Sequence, residues 1–399
     1  MIAQTVKISE IAEQVRGVTY SKDDASPSES DGMVPILRAN NITDNGLQFS
    51  NLVWVPKSCV SQKQMLRKGD IVVATSSGSL DVVGKAAPVE HDVEASFGAF
   101  CKVVRPGKST DSHYLANYFK TAKYRAIISG LAAGANINNL RNEHIDNLEI
   151  PLPALAEQKR IAAILDKADA IRRNLQQSLR LSDDFLRSVF LDMFGDPVTN
   201  PNGWPEEPMS ELMSDSKIGL VRASDQFGWD MPVPYVRMDA LTSDGAFIPE
   251  KVQGTNATPA EIASYSLKPG DLLFNTRNSK ELVGKVAIYP GPEGATFNNN
   301  LMRIRFRKGI DPYVIWAQFQ FPRVQRELEA RKQGTTSVFA VYGKNLATLP
   351  FHVPPSDLQR DYRKVVDKVS AARQKTQSFL AQSETLFSSL QQRAFRGDL

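Results

Sequence analysis

The chain contains the same sequence pattern twice, about 200 residues apart. Val34-Pro35-Ile36-Leu37-Arg38 in the first half corresponds to Val233-Pro234-Tyr235-Val236-Arg237 in the second. Val83-Gly84-Lys85 likewise returns as Val283-Gly284-Lys285. This period is far longer than the roughly 20–50 residues of solenoid repeats. The chain is therefore expected to be a duplicated unit, and two similar domains suit a target that has two parts.

Length and composition limit the class of protein. With 399 residues, each half is long enough to bury its own core. No uncharged apolar run approaches the roughly 18 residues of a membrane span, and the first residues lack the layout of a signal peptide. The two cysteines, Cys59 and Cys101, are too few for a disulfide scaffold, so we expect a cytoplasmic protein without a membrane partner. The net charge of +4 permits a nucleic-acid partner without requiring one.

The first 150 or so residues predict a β-rich domain with some helix, because short apolar runs alternate with turn residues. The predicted strands are Val34–Leu37, Leu52–Val55, Ile71–Thr75, Phe100–Val104 and Leu148–Leu152. The predicted helices are Ser9–Gln14 and Asp111–Leu131. Residues 206–353 repeat the pattern, which makes the fold class α+β, with one domain at 1–153 and another at 197–353.

Each domain is followed by a segment that predicts a long helix, 154–196 and 354–399. Apolar or small residues recur at alternating steps of three and four, which is a heptad seam. Some 40 residues at 1.5 Å each give a helix of about 60 Å. The seam positions of the first helix are Ile164, Ala168, Ile171, Leu175, Ser178, Ser182, Phe185 and Val189. Those of the second are Val365, Val369, Ala372, Thr376, Phe379, Ser383, Leu386 and Leu390.

The matching seams favour pairing of the two helices, since a polar-faced helix of this length is not stable alone. A globular domain lies between them in the sequence. We therefore expect an antiparallel coiled coil with the domains at opposite ends, a pseudo-two-fold internal repeat. The alternative is that each helix packs only on its own domain. Ser356, followed by Gln359 three residues later, predicts a capping box at the start of the second helix.

Catalytic and metal-binding signatures are scarce. The four histidines have no metal-ligand spacing, and none recurs in the other half. Gly78–Ala86 has one residue too many between its glycines for a phosphate-binding loop, and it ends in Ala where Ser or Thr would bind magnesium. We interpret Gly84-Lys85 and Gly284-Lys285 as turns leading into strands. Asp70 and Asp271, which follow a Gly before a strand, fit turn chemistry better than acid–base catalysis.

Polar segments that differ between the halves, while their frames repeat, are the best candidates for nucleic-acid contact. Thr75–Ser79 follows the strand Ile71–Ala74, and Asn275–Lys280 follows the equivalent strand. A second pair is Gly134–Asn139 and Gly334–Phe339. Asn, Ser and Thr can contact bases or phosphates, and Arg can bind guanine bidentately. Solvated turns are the alternative interpretation.

Arg38 and Arg237 recur in the same strand context and are candidates for phosphate contact. The alternative is that each neutralises a buried aspartate. The complete set of candidate DNA-binding residues is Arg38, Ser76, Ser77, Lys85, Asn136, Asn138, Arg237, Asn275, Arg277, Asn278, Lys280, Lys285, Thr335 and Thr336.

The chain resembles the specificity (S) subunit of type I restriction-modification enzymes over essentially its full length. The resemblance rests on the run Asn147–Ile161, which contains Pro-Leu-Pro and Glu-Gln, on the helix after it, and on the recurrence of both half a chain later. Leu66–Val72 also resembles the family's strand entry. The second copy departs from the pattern, because Leu358 stands where the first half has Glu157.

The resemblance implies two target recognition domains and an antiparallel coiled coil. It also implies that the chain is not catalytic and binds no cofactor itself. The chain would dock two methyltransferase (M) subunits that use S-adenosylmethionine and, through them, restriction (R) subunits that use ATP and Mg. The double-stranded DNA target would be bipartite, with two short sequences split by a fixed spacer.

Elementary energetics agree with that role. One domain that reads a few base pairs discriminates by only about 1–3 kcal/mol per base pair, and rigidly joining two domains multiplies the specificity. Because each turn of DNA advances about 34 Å, a fixed helix pair can act as a ruler. The competing hypotheses are a stand-alone DNA methyltransferase or nuclease and a coiled-coil adaptor without DNA binding. Missing catalytic motifs argue against the first, and unlike polar loops on like frames argue against the second.

Overall fold

The computed structural model describes residues 4–132, 138–334 and 337–399 and contains two compact units. Unit 1 comprises Met1–Ser178 and Thr376–Leu399, and unit 2 is Leu179–Lys375. The boundary falls inside both long helices, so each unit holds one globular domain and a half of each helix. Among the helices in the described ranges, none combines the length and apolarity that a membrane crossing requires.

The globular domain of unit 1 consists of short strands and short helices, and the first long helix follows it. Its strands are β1 Thr5–Lys7, β2 Ala12–Arg16, β3 Met33–Leu37, β4 Ile42–Thr43, β5 Gly46–Leu47, β6 Val53–Pro56, β7 Ile71–Ala74, β8 Ser76–Ser77, β9 Ala86–Pro88, β10 Ser96–Phe97, β11 Cys101–Pro106, β12 Asn138–Asn139 and β13 Glu149–Pro151. Its helices are α1 Ile8–Ile11, α2 Ser112–Tyr118, α3 Ala122–Ala132, α4 Asn142–Asp146 and the long α5 Leu155–Phe194.

An antiparallel sheet in the order β2-β11-β7-β9 lies at the centre of this domain. All four residues of β7 are buried, as a continuous apolar run requires when both faces of a sheet are covered. Ile71 and Val73 face a core shared with α2 and α3, whereas Val72 and Ala74 face a core shared with Phe97 of β10. The alternation of side chains along a strand produces these two cores.

The second domain repeats this plan in unit 2. Its strands are β14 Glu206–Pro208, β15 Met213–Ile218, β16 Phe227–Gly228, β17 Val233–Val236, β18 Gln253–Thr255, β19 Leu272–Asn275, β20 Arg277–Asn278, β21 Val286–Ile288, β22 Thr296–Phe297, β23 Leu301–Phe306, β24 Gln333–Gly334, β25 Phe339–Ala340 and β26 Pro350–His352. Its helices are α6 Met209–Leu212, α7 Pro259–Tyr265, α8 Pro312–Phe319, α9 Pro322–Glu329, α10 Gly343–Ala347 and the long α11 Ser356–Ala394. The central sheet has the order β15-β23-β19-β21, which matches unit 1 strand for strand. The predicted α+β duplication is confirmed.

Two of the predicted helices differ in the structure. The segment Asp111–Leu131 forms two helices, α2 and α3, because the side chain of Thr121 accepts a hydrogen bond from the backbone of Tyr124 and begins a new helix. The predicted helix Ser9–Gln14 reaches only Ile11. Its second part is β2, which pairs with β11 along its whole length, so sheet pairing outweighs local helical spacing.

The recurrent aspartates occupy turns, as predicted, and each binds an arginine that the sequence did not reveal. The Asp70 carboxylate accepts hydrogen bonds from the backbone of Arg67 at 2.9 Å and from the Arg105 guanidinium at 2.7 and 2.8 Å. Asp271 makes the same contacts with Lys268 and Arg305. Both carboxylates are buried. Neutralisation of a buried aspartate thus falls to this arginine pair and not to the arginines proposed from the sequence.

The recurrent glutamines join each long helix to its domain. Gln158 accepts a hydrogen bond from the backbone of Asp111 at 2.8 Å and donates to the carbonyls of Ser109 and Pro153. Gln359 accepts from the backbone of Asp311 at 2.8 Å and donates to Pro354. The predicted capping box is therefore wrong, because Ser356 is already the first residue of α11 and the Gln359 side chain bonds Asp311 and Pro354.

The helix halves pack antiparallel within each unit. In unit 1 the start of α5 meets the end of α11, since Leu165 and Phe387 belong to one core and the Arg172 guanidinium lies 5.2 Å from the Phe387 ring centroid. In unit 2 the end of α5 meets the start of α11, where Phe190 lies 5.7 Å from Tyr362. Both pairs also contact their globular domain, so the helices pack on each other and on the domain at once.

Six of the sixteen predicted seam positions are wrong by one residue. Ile171, Phe185, Phe379 and Leu386 are 49–57% exposed, and Ser178 and Ala372 are also exposed. The seam positions that are partly buried, as predicted, are Ile164, Ala168, Leu175, Ser182, Val189, Val365, Val369, Thr376, Ser383 and Leu390.

Charged residues explain the shift of the seam. Arg172 and Arg373 occupy inward positions that a search for apolar residues passes over. Arg172 lies over the Phe387 ring, and Arg373 donates to the carbonyl of Leu179 and pairs with Asp183. Long side chains of this kind bury their stems while the charge finds a partner.

A pair of adjacent residues tests the corrected seam. Phe387→Ala should lower the free energy of unfolding by about 3–5 kcal/mol, because it empties a buried site against α5. Leu386→Ala, one residue earlier and 57% exposed, should change it by no more than about 0.5 kcal/mol. Denaturant unfolding of the full chain measures both. Equal losses for the two variants would contradict the assignment.

Polar contacts also anchor α5 in unit 1. His113 Nδ1 lies 2.7 Å from Asp166 Oδ2, and Asn117 donates to the other carboxylate oxygen at 2.8 Å. The hydrogen bond to Asp166 raises the pKa of His113, although burial acts in the opposite direction. Glu90 lies 3.6 Å from the other ring nitrogen and favours the same protonated form.

The raised pKa predicts a pH dependence of stability. Protonated His113 stabilises the folded chain fully below its ordinary pKa of about 6.5, and the contribution disappears as pH rises through the higher folded-state value. His113→Gln should therefore be less stable than the unsubstituted chain at pH 6 by less than about 1 kcal/mol, since the ring is 42% exposed and screened by solvent. The difference should shrink at pH 9. Thermal unfolding measures it, and a difference that grows with pH would refute the charge pairing.

Candidate nucleic-acid interface

In unit 1, the two variable segments lie side by side. Thr75, just after β7, donates to the carbonyl of Phe100 through its amide at 2.8 Å and through its hydroxyl at 3.1 Å. Its own carbonyl accepts a hydrogen bond from the amide of Leu140 at 2.8 Å. The next two residues form β8, which pairs with β12. Segments predicted as separate loops thus form one two-stranded element.

Unit 2 has the same frame with the same bonds. Thr276 donates to the carbonyl of Asn300 through its amide at 2.8 Å and its hydroxyl at 3.0 Å, and its carbonyl accepts from the amide of Val341 at 3.0 Å. Strand β20 pairs with β25, which also pairs with β24. Because backbone atoms and a shared threonine build the frame, the side chains on it are free to differ between the units.

The side chains on the frame differ in charge. Unit 1 presents Ser76 and Ser77, both half-buried, and Ser77 Oγ accepts from the amide of Ser79 at 3.2 Å. The same two positions of unit 2 hold Arg277 and Asn278. Arg277 is exposed, and within the described ranges its guanidinium has no hydrogen-bond or ion-pair partner. It is therefore the predicted residue best placed to receive a ligand.

Asn275 must be removed from the candidate set. It is fully buried, and its amide donates to the carbonyls of Asn300 at 3.0 Å and Arg277 at 3.2 Å. Its oxygen accepts from the amide of Asn278 at 3.0 Å. Asn275 thus holds the turn in shape, and a short polar side chain after a strand gives no sequence signal that separates this role from ligand contact.

The remaining predicted cations bind their own domains. Lys85 lies 3.2 Å from Asp44, and Lys285 donates to the carbonyl of Leu241 at 3.1 Å. Gly84 and Gly284 before them have positive φ, which confirms the predicted turns. Phosphate contact by these lysines stays a prediction.

The paired arginines and Lys280 are also engaged. Arg38 donates to the carbonyl of Asn51 at 3.0 Å, and Arg237 donates to Gln253 at 2.9 Å and lies over the ring of Phe227. Lys280 is exposed, with Glu329 at 3.7 Å and the Phe339 ring centroid at 6.0 Å. All three remain candidates for phosphate.

Some predicted residues cannot be placed. Asn136, Thr335 and Thr336 lie outside the described residues. Asn138 is described by its backbone, which pairs with Ser77.

Beneath the frame of unit 1, Lys102 is buried and donates to the carbonyl of Leu140 at 3.3 Å. Burial lowers the pKa of Lys102, and the neighbouring Arg16 acts in the same direction. The ammonium group is thus used inside the domain, at the residue that follows β12. In the part of the chain that the structure describes, no group of three or more His, Cys, Asp or Glu residues could hold a metal ion.

Comparison with known proteins identifies the family. Residues 3–181 match the family model of the type I restriction modification DNA specificity domain. The EcoKI specificity subunit of Escherichia coli K12 is 30% identical over 98% of this chain and 88% of its own length. The StySPI specificity subunit of Salmonella potsdam is 31% identical over 99% and 89%. The chain belongs to the family of type I restriction enzyme specificity subunits.

The fold of this specificity subunit agrees with solved structures. The type I restriction-modification S subunit from M. genitalium superposes with a TM-score of 0.61 at 16% identity, covering 98% of this chain and 96% of that one. A chain from a study of complex assembly in the type I system superposes with a TM-score of 0.50 at 17% identity, covering 100% and 98%. As a member of this family, the chain is a component for DNA target recognition and not the catalytic one.

One variable element of this specificity subunit was not among the candidates predicted from the sequence. This element is the turn Phe97-Gly98-Ala99-Phe100-Cys101 in unit 1 and Phe297-Asn298-Asn299-Asn300-Leu301 in unit 2. The carbonyls of Phe100 and Asn300 accept the threonine hydrogen bonds described above. The signal was present in the sequence, since an unchanged Phe precedes four changed residues. It was overlooked because the turn lies some 25 residues from the other variable segment.

Arg277 allows a direct test of base recognition. If its guanidinium binds a guanine edge, Arg277→Ala should cost about 1–3 kcal/mol and relax one base pair in one half of the target only. If it binds phosphate, affinity should fall evenly across sequences, and the salt dependence should become shallower by about one unit of slope. Competition binding over single-base variants separates these results. The matched control is Ser76→Ala in unit 1, which should leave recognition of the half-site read by unit 2 unchanged.

Proposed function

We propose that the two globular domains read two halves of a bipartite double-stranded DNA target. The observation that supports this most strongly is the repeated frame. The same threonine bonds hold unlike side chains, Ser76 and Ser77 in one unit and Arg277 and Asn278 in the other. A duplicated protein that read one sequence twice would need like side chains at these positions. Unlike side chains on like frames suit two different half-sites.

The long helices are proposed to fix the separation of the two half-sites. Each helix is continuous over about 40 residues, and each takes part in the packing of both units. Joining two weakly binding domains raises the affinity for a target that has both half-sites, because binding of the second domain is then intramolecular and costs little further translational and rotational entropy. The length of the spacer between half-sites follows from this pair and cannot be adjusted by the DNA-reading loops.

Two methyltransferase subunits are the proposed partners, with restriction subunits recruited through them. The exposed apolar side chains on the helices support a protein partner. Phe379 and Leu386 of α11 are seven residues apart, as are positions that share one face of a heptad, and more than half of each side chain is exposed. A solvated helix face seldom carries such a pair, whereas a face covered by another helix does.

S-adenosylmethionine, ATP and Mg are proposed to be bound by these partners and not by this chain. A cytoplasmic location is part of the same proposal. Both cysteines are free thiols, and burial raises the pKa of the Cys101 thiol to about 12, which keeps it unreactive. Such thiols suit a reducing compartment.

The proposal predicts how the purified chain behaves. Alone, it should neither methylate nor cut DNA, and it should bind duplex weakly with a steep dependence on salt. Together with its methyltransferase subunit, it should direct methylation to a motif with two separated parts. Incubation with DNA and labelled S-adenosylmethionine, followed by sequencing of methylated positions, tests both statements. Turnover by the chain alone, or a single undivided motif from the complex, would overturn the proposal.

A further inference from the structure

The turn between β10 and β11 presents a large aromatic ring to solvent. Phe100 is 68% exposed, whereas Phe97, three residues earlier, is fully buried in the core. The turn itself is rigid, because the amide of Gly98 donates to the carbonyl of Leu37 at 2.9 Å and that of Cys101 donates to Gly98 at 2.8 Å. The ring is therefore held outward by a fixed backbone.

Exposure alone does not assign a role to Phe100, since single apolar residues are common on protein surfaces. The position of the ring next to the variable segment indicates the role. The carbonyl of Phe100 accepts hydrogen bonds from the amides of Thr75 and Ser76 and from the Thr75 hydroxyl. Phe100 is thus bonded directly to the variable segment and joins β8 and β12 in one surface.

The equivalent residue of unit 2 has the same two threonine bonds and a different side chain. The Asn300 carbonyl accepts hydrogen bonds from the amide and the hydroxyl of Thr276, and Asn300 occupies the equivalent position of the equivalent turn. Its side-chain amide makes a long contact of 3.7 Å with the sulfur of Met238. A position where the backbone is repeated and the side chain changes from aromatic to amide has the property expected of a residue that selects a base.

We propose that the turns Gly98–Cys101 and Asn298–Leu301 are a third base-reading element, in which Phe100 contacts a thymine methyl group and Asn300 hydrogen-bonds an adenine edge. The inference rests on the proposed reading of DNA by both domains. Apolar side chains recognise thymine by its methyl group, which no other base presents in the major groove, and an amide pairs with adenine N6 and N7. Each domain then reads one base pair through this turn in addition to those read by its paired strands.

Replacement of thymine by uracil tests the Phe100 contact, because it removes only the methyl group. The full chain is expressed with its methyltransferase subunit, and the methylated motif is determined first. Each thymine of the half-site read by unit 1 is then replaced by deoxyuridine in a synthetic duplex. One replacement should weaken binding of the unsubstituted complex about fourfold, the value of one buried methyl group. In a complex carrying Phe100→Ala the same replacement should have no effect.

Two variants complete the experiment. Asn300→Ala should relax an adenine position in the other half-site by about tenfold and leave the first half-site unchanged. Phe49→Ala, which removes another exposed phenylalanine of unit 1 that is 46% exposed, is the matched control and should leave the motif unchanged. Size-exclusion chromatography checks that every complex assembles.

Three results would overturn the inference. One is a uracil scan without an effect in the unsubstituted complex, and another is an equal effect in the Phe100→Ala complex. The third is loss of assembly by Phe100→Ala, which would make the ring a contact for the partner subunit. An undivided motif from the unsubstituted complex would instead overturn the proposed bipartite function, and the uracil scan on that motif would still decide the role of Phe100.

Discussion

Hydrophobic packing of the long helices against the globular domains is the interaction on which the rest of the architecture depends. A 40-residue helix with a largely polar surface has no stable existence in water. The structure solves this by burying Phe190, Phe194 and Tyr362 with Phe321 of the domain in unit 2. In unit 1, Phe387 enters the core of the other domain. The helix halves are therefore extensions of the domain core in each unit.

Within each domain, the elements that hold the fold are separate from those that vary. The buried pairs Asp70–Arg105 and Asp271–Arg305 fix the entry to the central strand, and loss of either partner would leave an uncompensated charge at a cost of about 3–5 kcal/mol. The variable residues stand after that strand, on a backbone fixed by threonine. A change there alters what the surface can bind with little effect on folding stability, so new specificities can arise without a new frame.

The sequence predicted the duplication, the α+β class, the two long helices and their antiparallel pairing, because these follow from repetition and from periodicity. It misplaced six of the sixteen seam positions, in part because the stem of Arg172 is apolar although its head is charged. It also could not separate Asn275, which is buried in a turn, from Arg277 two residues later, which is exposed. Both residues are polar and follow the same strand. Only burial distinguishes them, and burial depends on contacts with Asn300, distant in sequence.

The composition of unit 1 from two distant stretches of chain has a consequence for biosynthesis. Residues 1–178 leave the ribosome long before residues 376–399, yet Phe387 and Ala394 belong to the core of this unit. Unit 2, Leu179–Lys375, is continuous and can complete its packing before residues 376–399 of unit 1 have been synthesised. A nascent chain interrupted before residue 376 would expose the apolar face of α5 that Phe387 normally covers. Exposed apolar surface of this kind is prone to aggregation and is what chaperones and proteases recognise, so the last two dozen residues complete unit 1 as well as the second helix.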